Sequence, residues 1–428
     1  MSHRDLPDLS PFRAQFPSLA QTGPDGQPFA YFDGPAGTQV PAAVAEATAD
    51  YYRRANANTH GAFETSRRSQ MVVDAARTAM ADLLVGAPEE IAFGPNMTTL
   101  TFALSRALGR TFSPGDEIIV TQLDHVAYVA PWVALEEKGI VVRHCDFRLE
   151  DCTLDLDHLA SLLSRRTRLV AVGHASYAVG TINPVGRIAE MAHAAGALVW
   201  VDAVHSMPHM SVDVGELDAD FLLCSAYKFF GPHVGILWMR RELGEELDPY
   251  KVRPSPVTAP EKFETGTQSF EGLAGVVAAV DYLAGIGRSD GDAGGPDGLE
   301  PSVRPGELMR AMSRIAAWEQ PMALRILDAL TAMPGVRVFG ITDPARIAER
   351  CPTIACRIDD LAPREVARRL GERGIFVWDG NYYAVAVTER LGLESTGGMV
   401  RIGVVHYNTP AEVERLLTAV EQLASEAR

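Results

Sequence analysis

Between Glu117 and Met239 short apolar runs alternate with amphipathic stretches, and this pattern leaves few folds open. Strand-like segments fall at Glu117–Thr121, Ile140–Cys145, Leu169–Gly173, Leu198–Asp202, Phe221–Cys224 and Val234–Met239. Several of the intervening segments place apolar residues at helical spacing, as in Ile188–Ala195. Strands that alternate with helices predict an α/β fold, a largely parallel sheet with helices on both faces. Ligands of such sheets bind outside the carboxyl ends of the strands. His125, Asp202 and Lys228 all fall at or just after predicted strand ends, so the topology can gather them into one crevice.

The remainder of the chain reads as an addition to this core. Gly285–Gly306 is rich in Gly, Asp and Pro and reads as a linker or surface insertion. A helical stretch around Glu307–Leu330 follows it. Strand-like and helical segments then run to Arg428, and predict a smaller α+β domain. The expected division is residues 1–30 as an N-terminal segment packing with the small domain, 31–284 as the large domain, 285–306 as linker, and 307–428 as the small domain. With 39 basic and 55 acidic residues the net charge is −16, which argues against nucleic acid or anionic membranes as partners. No apolar run is long enough to span a bilayer, and the first residues lack a signal pattern. A cytoplasmic protein is therefore expected. The five cysteines, Cys145, Cys152, Cys224, Cys351 and Cys356, form no CxxC pair and are odd in number. They predict free thiols in a reducing compartment. No metal site is expected, because no His, Cys or Glu cluster has zinc spacing.

Lys228 is one of four lysines and sits where a solvating lysine is least at home. The apolar run Phe221-Leu222-Leu223-Cys224 breaks into Ser225-Ala226-Tyr227-Lys228-Phe229-Phe230. A lysine among aromatic residues at a strand end is partly desolvated, which lowers its pKa and frees a neutral amine as nucleophile. Asp202 closes another apolar run, Leu198-Val199-Trp200-Val201. A buried carboxylate needs a cationic partner. A lone aspartate here is more readily a helix cap or a loop salt bridge, and a lone lysine as readily a surface residue. Together, on neighbouring strand ends, they suit a pyridoxal phosphate site, with Asp202 on the ring nitrogen and Lys228 as Schiff-base lysine.

Asp202-Ala203-Val204-His205 followed by Ser225-Ala226-Tyr227-Lys228 resembles the class V aminotransferase and cysteine desulfurase group of fold-type I enzymes. Further segments agree in order from Tyr31 to Leu417. These are Tyr31-Phe32-Asp33-Gly34-Pro35-Ala36-Gly37-Thr38, Pro95-Asn96-Met97-Thr98-Thr99, Asp124-His125, Phe263-Glu264-Thr265-Gly266-Thr267-Gln268 and the segment that begins Arg401-Ile402-Gly403. The resemblance implies a large domain with a mainly parallel, seven-stranded-type sheet, and a homodimer with its active site at the subunit interface. It implies that His125 stacks on the cofactor ring and that His205 donates to its phenolate oxygen. Thr98, Thr99, Ser225, Tyr227 and Thr267 would serve the cofactor, Thr267 from across the dimer. Arg401 would grip the carboxylate of an amino-acid substrate, with Asn58, His60 and Tyr383 nearby. Independently, Thr98 and Thr99 lie at a predicted helix start, where free N–H groups and the dipole favour an anion.

Two departures bear on the chemistry. In Gly374-Ile375-Phe376-Val377-Trp378-Asp379-Gly380-Asn381-Tyr382-Tyr383-Ala384, the place of the family's sulfur-attacking cysteine holds Tyr383. Tyr177 stands where the family usually has asparagine, and is a candidate acid/base group. The chain is thus most similar to the subgroup without that cysteine. This subgroup includes cysteine S-conjugate carbon–sulfur lyases of ergothioneine and lincosamide pathways. The expectation is a pyridoxal phosphate lyase that eliminates a thiol from an S-substituted cysteine. The alternatives are decarboxylation-coupled oxidative deamination to an aldehyde, transamination or epimerisation, and a cofactor-binding dimer without catalysis.

Overall fold

The computed structural model describes residues 7–23, 26–288 and 304–427. Its strands are β1 (Ala30–Tyr31), β2 (Ile91–Gly94), β3 (Glu117–Thr121), β4 (Val141–Cys145), β5 (Thr167–Gly173), β6 (Leu198–Asp202), β7 (Phe221–Ser225), β8 (Gly235–Met239), β9 (Val336–Phe339), β10 (Thr353–Ile358), β11 (Ile375–Phe376), β12 (Trp378–Gly380) and β13 (Met399–Gly403). Seven of them form the main sheet in the order β2-β8-β7-β6-β5-β3-β4. Only β8 runs antiparallel to its neighbours. Strands β3, β5, β6, β7 and β8 are buried almost throughout, as expected where helices cover both faces of a sheet. The six strands expected from sequence are all present, with ends moved by a residue or two. Strand β2 is an addition. Its short run Ile91-Ala92-Phe93 follows an acidic turn and carries too few residues to signal a strand.

Two apolar clusters cover the faces of this sheet. One contains Trp132, Trp200 and Phe221. The other contains Val199, Val201, Leu222 and Ile236, with residues of helices Glu64–Leu84 and Phe270–Ile286. A third cluster joins helix Arg304–Ala332, helix Pro410–Glu426 and the antiparallel sheet β12-β13-β10-β9. Of the expected linker 285–306, residues 289–303 lie outside the described residues. Its two flanks are helical, because the preceding helix reaches Ile286 and the following one starts at Arg304.

The boundary expected at residue 31 cuts through a strand. β1 pairs in parallel with β11 of the C-terminal part. Arg13 ties the N-terminal segment further to the C-terminal helix through Glu412, at 2.7 Å. Phe16 packs edge-on against Tyr282 and Tyr407. No helix of the described residues is long and apolar enough to cross a membrane.

Candidate active site

The carboxyl ends of β5, β6 and β7 open onto a cavity of about 830 Å³, which the turn Gly380–Tyr383 and Arg401 of the C-terminal part complete. Lys228 ends a short 3₁₀ turn, Ala226–Lys228, that follows β7 directly. Its Nζ donates to the carbonyls of Pro35 and Ala36, at 2.6 and 2.9 Å. These acceptors fix the amine without neutralising it. Burial, and then the positive charge of Arg401, hold the ammonium down from 10.5 to about 7, against the opposing pull of Asp202.

Asp202 ends β6 and is buried. Its Oδ1 accepts the N–H of Val204 at 2.8 Å. Burial raises its pKa to about 7, although that hydrogen bond and Lys228 both favour the ionised form. His125 follows β3 and caps helix Val126–Val133, its Nδ1 accepting the N–H of Ala127 at 2.9 Å. Acceptance at Nδ1 leaves the proton of a neutral ring on Nε2. Burial, with Lys228 and Arg401 adding, lowers its pKa to about 4, so the ring is neutral at pH 7. It lies against Tyr177 (centroids 4.7 Å apart) and stacks with Tyr383 (5.5 Å, planes 18° apart). His205 bonds the hydroxyl of Thr353 through Nε2, at 3.0 Å. Burial keeps it neutral too. Tyr227 lines the cavity and stacks on His233.

The anion-binding end is built on the start of helix Met97–Leu108. Asn96 caps it, accepting both the N–H and the hydroxyl of Thr99 at 2.9 and 3.0 Å. The N–H of Met97 donates to Ser225 Oγ at 3.0 Å, which ties the helix start to the end of β7. Gly235 of β8 permits the approach, because a Cβ there would meet Asn96 backbone at 2.4 Å. The two threonines expected to serve the cofactor differ in their surroundings. Thr98 lines the cavity, whereas Thr99 is spent on the cap.

Arg401 lies on β13, only 3% exposed, with its guanidinium in the cavity wall. It donates one hydrogen bond, to the carbonyl of Tyr177 at 3.2 Å, and its buried Nε has no partner among the described residues. The Tyr177 hydroxyl is likewise buried and unpartnered. Burial pushes its pKa well above 10. Tyr383 stands at the rim, 70% exposed. Asn58, His60 and Thr267 do not line this cavity and are exposed on the surface of the chain. Asn96, Asp124, His233, Trp378 and Tyr382 are lining residues that were not expected from sequence. Asn96 carried a readable signal, a capping residue three before Thr99. Tyr382 and Trp378 carried none, since they reach the cavity only through the docking of the C-terminal part.

This donor set fits pyridoxal phosphate. It offers a neutral amine for the aldehyde, a carboxylate for the ring nitrogen, a neutral imidazole for the ring face, and a capped helix start for the phosphate. All five cysteines are buried and none lines the cavity.

Comparison with known proteins agrees on the cofactor. The family model "Aminotransferase class-V" matches residues 30–293 and 308–416. A cysteine desulfurase from Pectobacterium atrosepticum is 32% identical, with 96% of this chain and 97% of that protein covered. A probable cysteine desulfurase from Streptomyces coelicolor is 30% identical over 98% of this chain and 97% of its own length. Among solved structures, the cysteine desulfurase CsdA from Escherichia coli superposes with a TM-score of 0.82 at 28% identity, over 99% of both chains.

Proposed function

Because the chain belongs to the class V aminotransferase family, whose members depend on pyridoxal phosphate, we propose that it eliminates a thiol from S-substituted cysteine and does not mobilise sulfur. The observation that carries this reading is the absence of any thiol from the cavity wall; on the sequence resemblance, Tyr383 at the rim would take the place of the attacking cysteine. A phenol cannot form a persulfide. Burial moreover raises the thiol pKa of Cys145, Cys152 and Cys356 to about 12, 11 and 12, which makes them inert as nucleophiles at pH 7.

Lys228, Asp202, His125, His205, Thr98 and Ser225 would hold the cofactor, which supplies an electron sink for bonds at the substrate α-carbon. Arg401 binds the substrate carboxylate through charge-assisted hydrogen bonds. Lys228, with its pKa near 7, takes the α-proton as general base. His125 and Tyr383 stack at the mouth of the site. The C–S bond breaks, the thiol leaves with a proton, and addition of one water releases pyruvate and ammonia. A second copy of the chain would bring Thr267 to the rim of the site.

The unpartnered Tyr177 hydroxyl favours a second reading, decarboxylation with oxygen-dependent deamination to an aldehyde. Product analysis by mass spectrometry on a panel of S-substituted cysteines, with and without oxygen, separates the two. Thiol and pyruvate in both atmospheres are expected. Carbon dioxide, peroxide and an aldehyde would replace this reading with the second. Alanine and enzyme-bound persulfide from free cysteine would overturn both.

A further inference from the structure

We propose that Tyr382 is a positioning residue that clamps Arg401 for the substrate carboxylate, an inference that rests on the carboxylate-binding role of Arg401. Tyr382 lines the cavity, and its backbone is held in an unusual state. Tyr382 and Tyr383 have φ of 55° and 65°, two consecutive non-glycine residues in the left-handed region. Such conformations are unfavourable and persist where the surroundings enforce them. The surroundings here are identifiable. Asn381 Oδ1 accepts the N–H of Tyr383 at 3.0 Å, and Asn381 Nδ2 donates to Glu394 at 2.9 Å. The carbonyl of Tyr383 accepts the N–H of Val126, at 2.9 Å, which ties the turn to the helix capped by His125.

The consequence of this turn is the placement of one ring. Tyr382 is 9% exposed, and the Arg401 guanidinium lies 4.4 Å from its ring centroid. The Tyr382 hydroxyl donates to the carbonyl of Met399, two residues before Arg401 on the same strand. The ring is thus fastened to the strand that carries the arginine it faces. Tyr177 presents a second ring at 5.7 Å. A carboxylate partner would also hold the arginine, but it would cancel the charge that the substrate must meet. Ring faces orient a guanidinium and leave its N–H edges and its charge available.

The test uses the cofactor-loaded protein and reads binding from the change in cofactor absorption. The ligands are an S-substituted cysteine and the corresponding amine without its carboxylate. Tyr382→Leu should weaken the amino acid by about tenfold, the range of a desolvated cation–π contact, and leave the amine unchanged. Tyr382→Phe, which keeps the ring, should restore most of the loss. Equal weakening of both ligands, or no weakening of the amino acid, would overturn the clamp. So would failure of Tyr382→Phe to recover affinity. If Tyr382→Leu does not fold, Tyr382→Phe and Tyr382→His decide, with ordering Phe above His expected and the reverse overturning it. Arg401→Gln is the control. If it leaves amino-acid binding intact, the carboxylate role of Arg401 falls. If it weakens binding and Tyr382→Leu does not, only the clamp falls.

Discussion

Lys228 should react with pyridoxal phosphate at a pH where an ordinary lysine is inert. At pH 7 a lysine of pKa 10.5 is neutral in about 3 of 10,000 molecules, and one of pKa about 7 in about half, a gain of roughly a thousandfold in nucleophile. The sign is fixed by the causes, because burial and the Arg401 charge both disfavour the ammonium. The assay mixes cofactor-free protein with pyridoxal phosphate between pH 5.5 and 10 and follows the violet band. Capture by Nα-acetyllysine in the same buffers removes the titration of the cofactor itself. The corrected rate should rise with pH and level off above a midpoint near 7. In Arg401→Gln the midpoint should move upward, since a nearby positive charge has gone. A wild-type midpoint near 10, or a downward move in Arg401→Gln, would refute the reasoning.

Lys228→Ala should abolish the violet band, and a persisting band would place the covalent link elsewhere. Asn96→Ala should cost about 1 kcal/mol, the worth of a helix cap, and weaken retention of the cofactor in dialysis; Thr99→Ala should do less to the cofactor than Thr98→Ala. Arg77 pairs with Glu264 and Glu261 at 2.9 and 2.7 Å, and Glu264 also accepts the N–H of Phe93. Arg77→Ala leaves Glu264 buried without its cation and should cost on the order of 3–5 kcal/mol in urea unfolding, with Glu264→Gln recovering part of it. His125 and His174 have pKa values held down from 6.5 to about 4, and His406 to about 3, all chiefly by burial. Below pH 6.5 the unfolded chain binds protons that the folded chain refuses. Stability should therefore be intact above pH 6.5 and fall progressively towards pH 4, as followed by melting temperature.

The inner strands of the main sheet were legible because they are buried on both faces and read as continuous apolar runs, which the intervening helices separate cleanly. Lys228 and Asp202 were legible for the same reason, each being a charge at the end of such a run. Less legible were features set by contacts between distant segments. Thr98 and Thr99 are identical in sequence terms, and only the cap made by Asn96 tells which one faces the cavity. Strand β1 has two residues and exists because β11, some 345 positions later, pairs with it. Tyr382 depends on a turn in which Gly380 has positive φ but Tyr382 and Tyr383 themselves are left-handed, which no residue type at those two positions announces. Asn58, His60 and Thr267 lie away from the cavity of their own chain, so a single chain gives no geometric argument for them.

The charges around the cavity explain how an acidic protein can present a site for anions. Asp124 is buried among Thr121 and Gly173, and burial raises its pKa well above the usual carboxylate range, which disfavours its charged form. Asp202 and Lys228 both titrate near pH 7 and offset one another. His125 and His205 are neutral. Arg401 is a buried positive charge in the wall, while the carboxylates Asp379 and Glu394 line the cavity on the side of the C-terminal part. A phosphate and a carboxylate entering together would meet a helix start at one end and this guanidinium at the other. The overall charge of −16 stays screened on the outside. Discrimination against a substrate without a carboxylate follows from the proposed role of Arg401, because such a ligand would leave a buried cation unpaired.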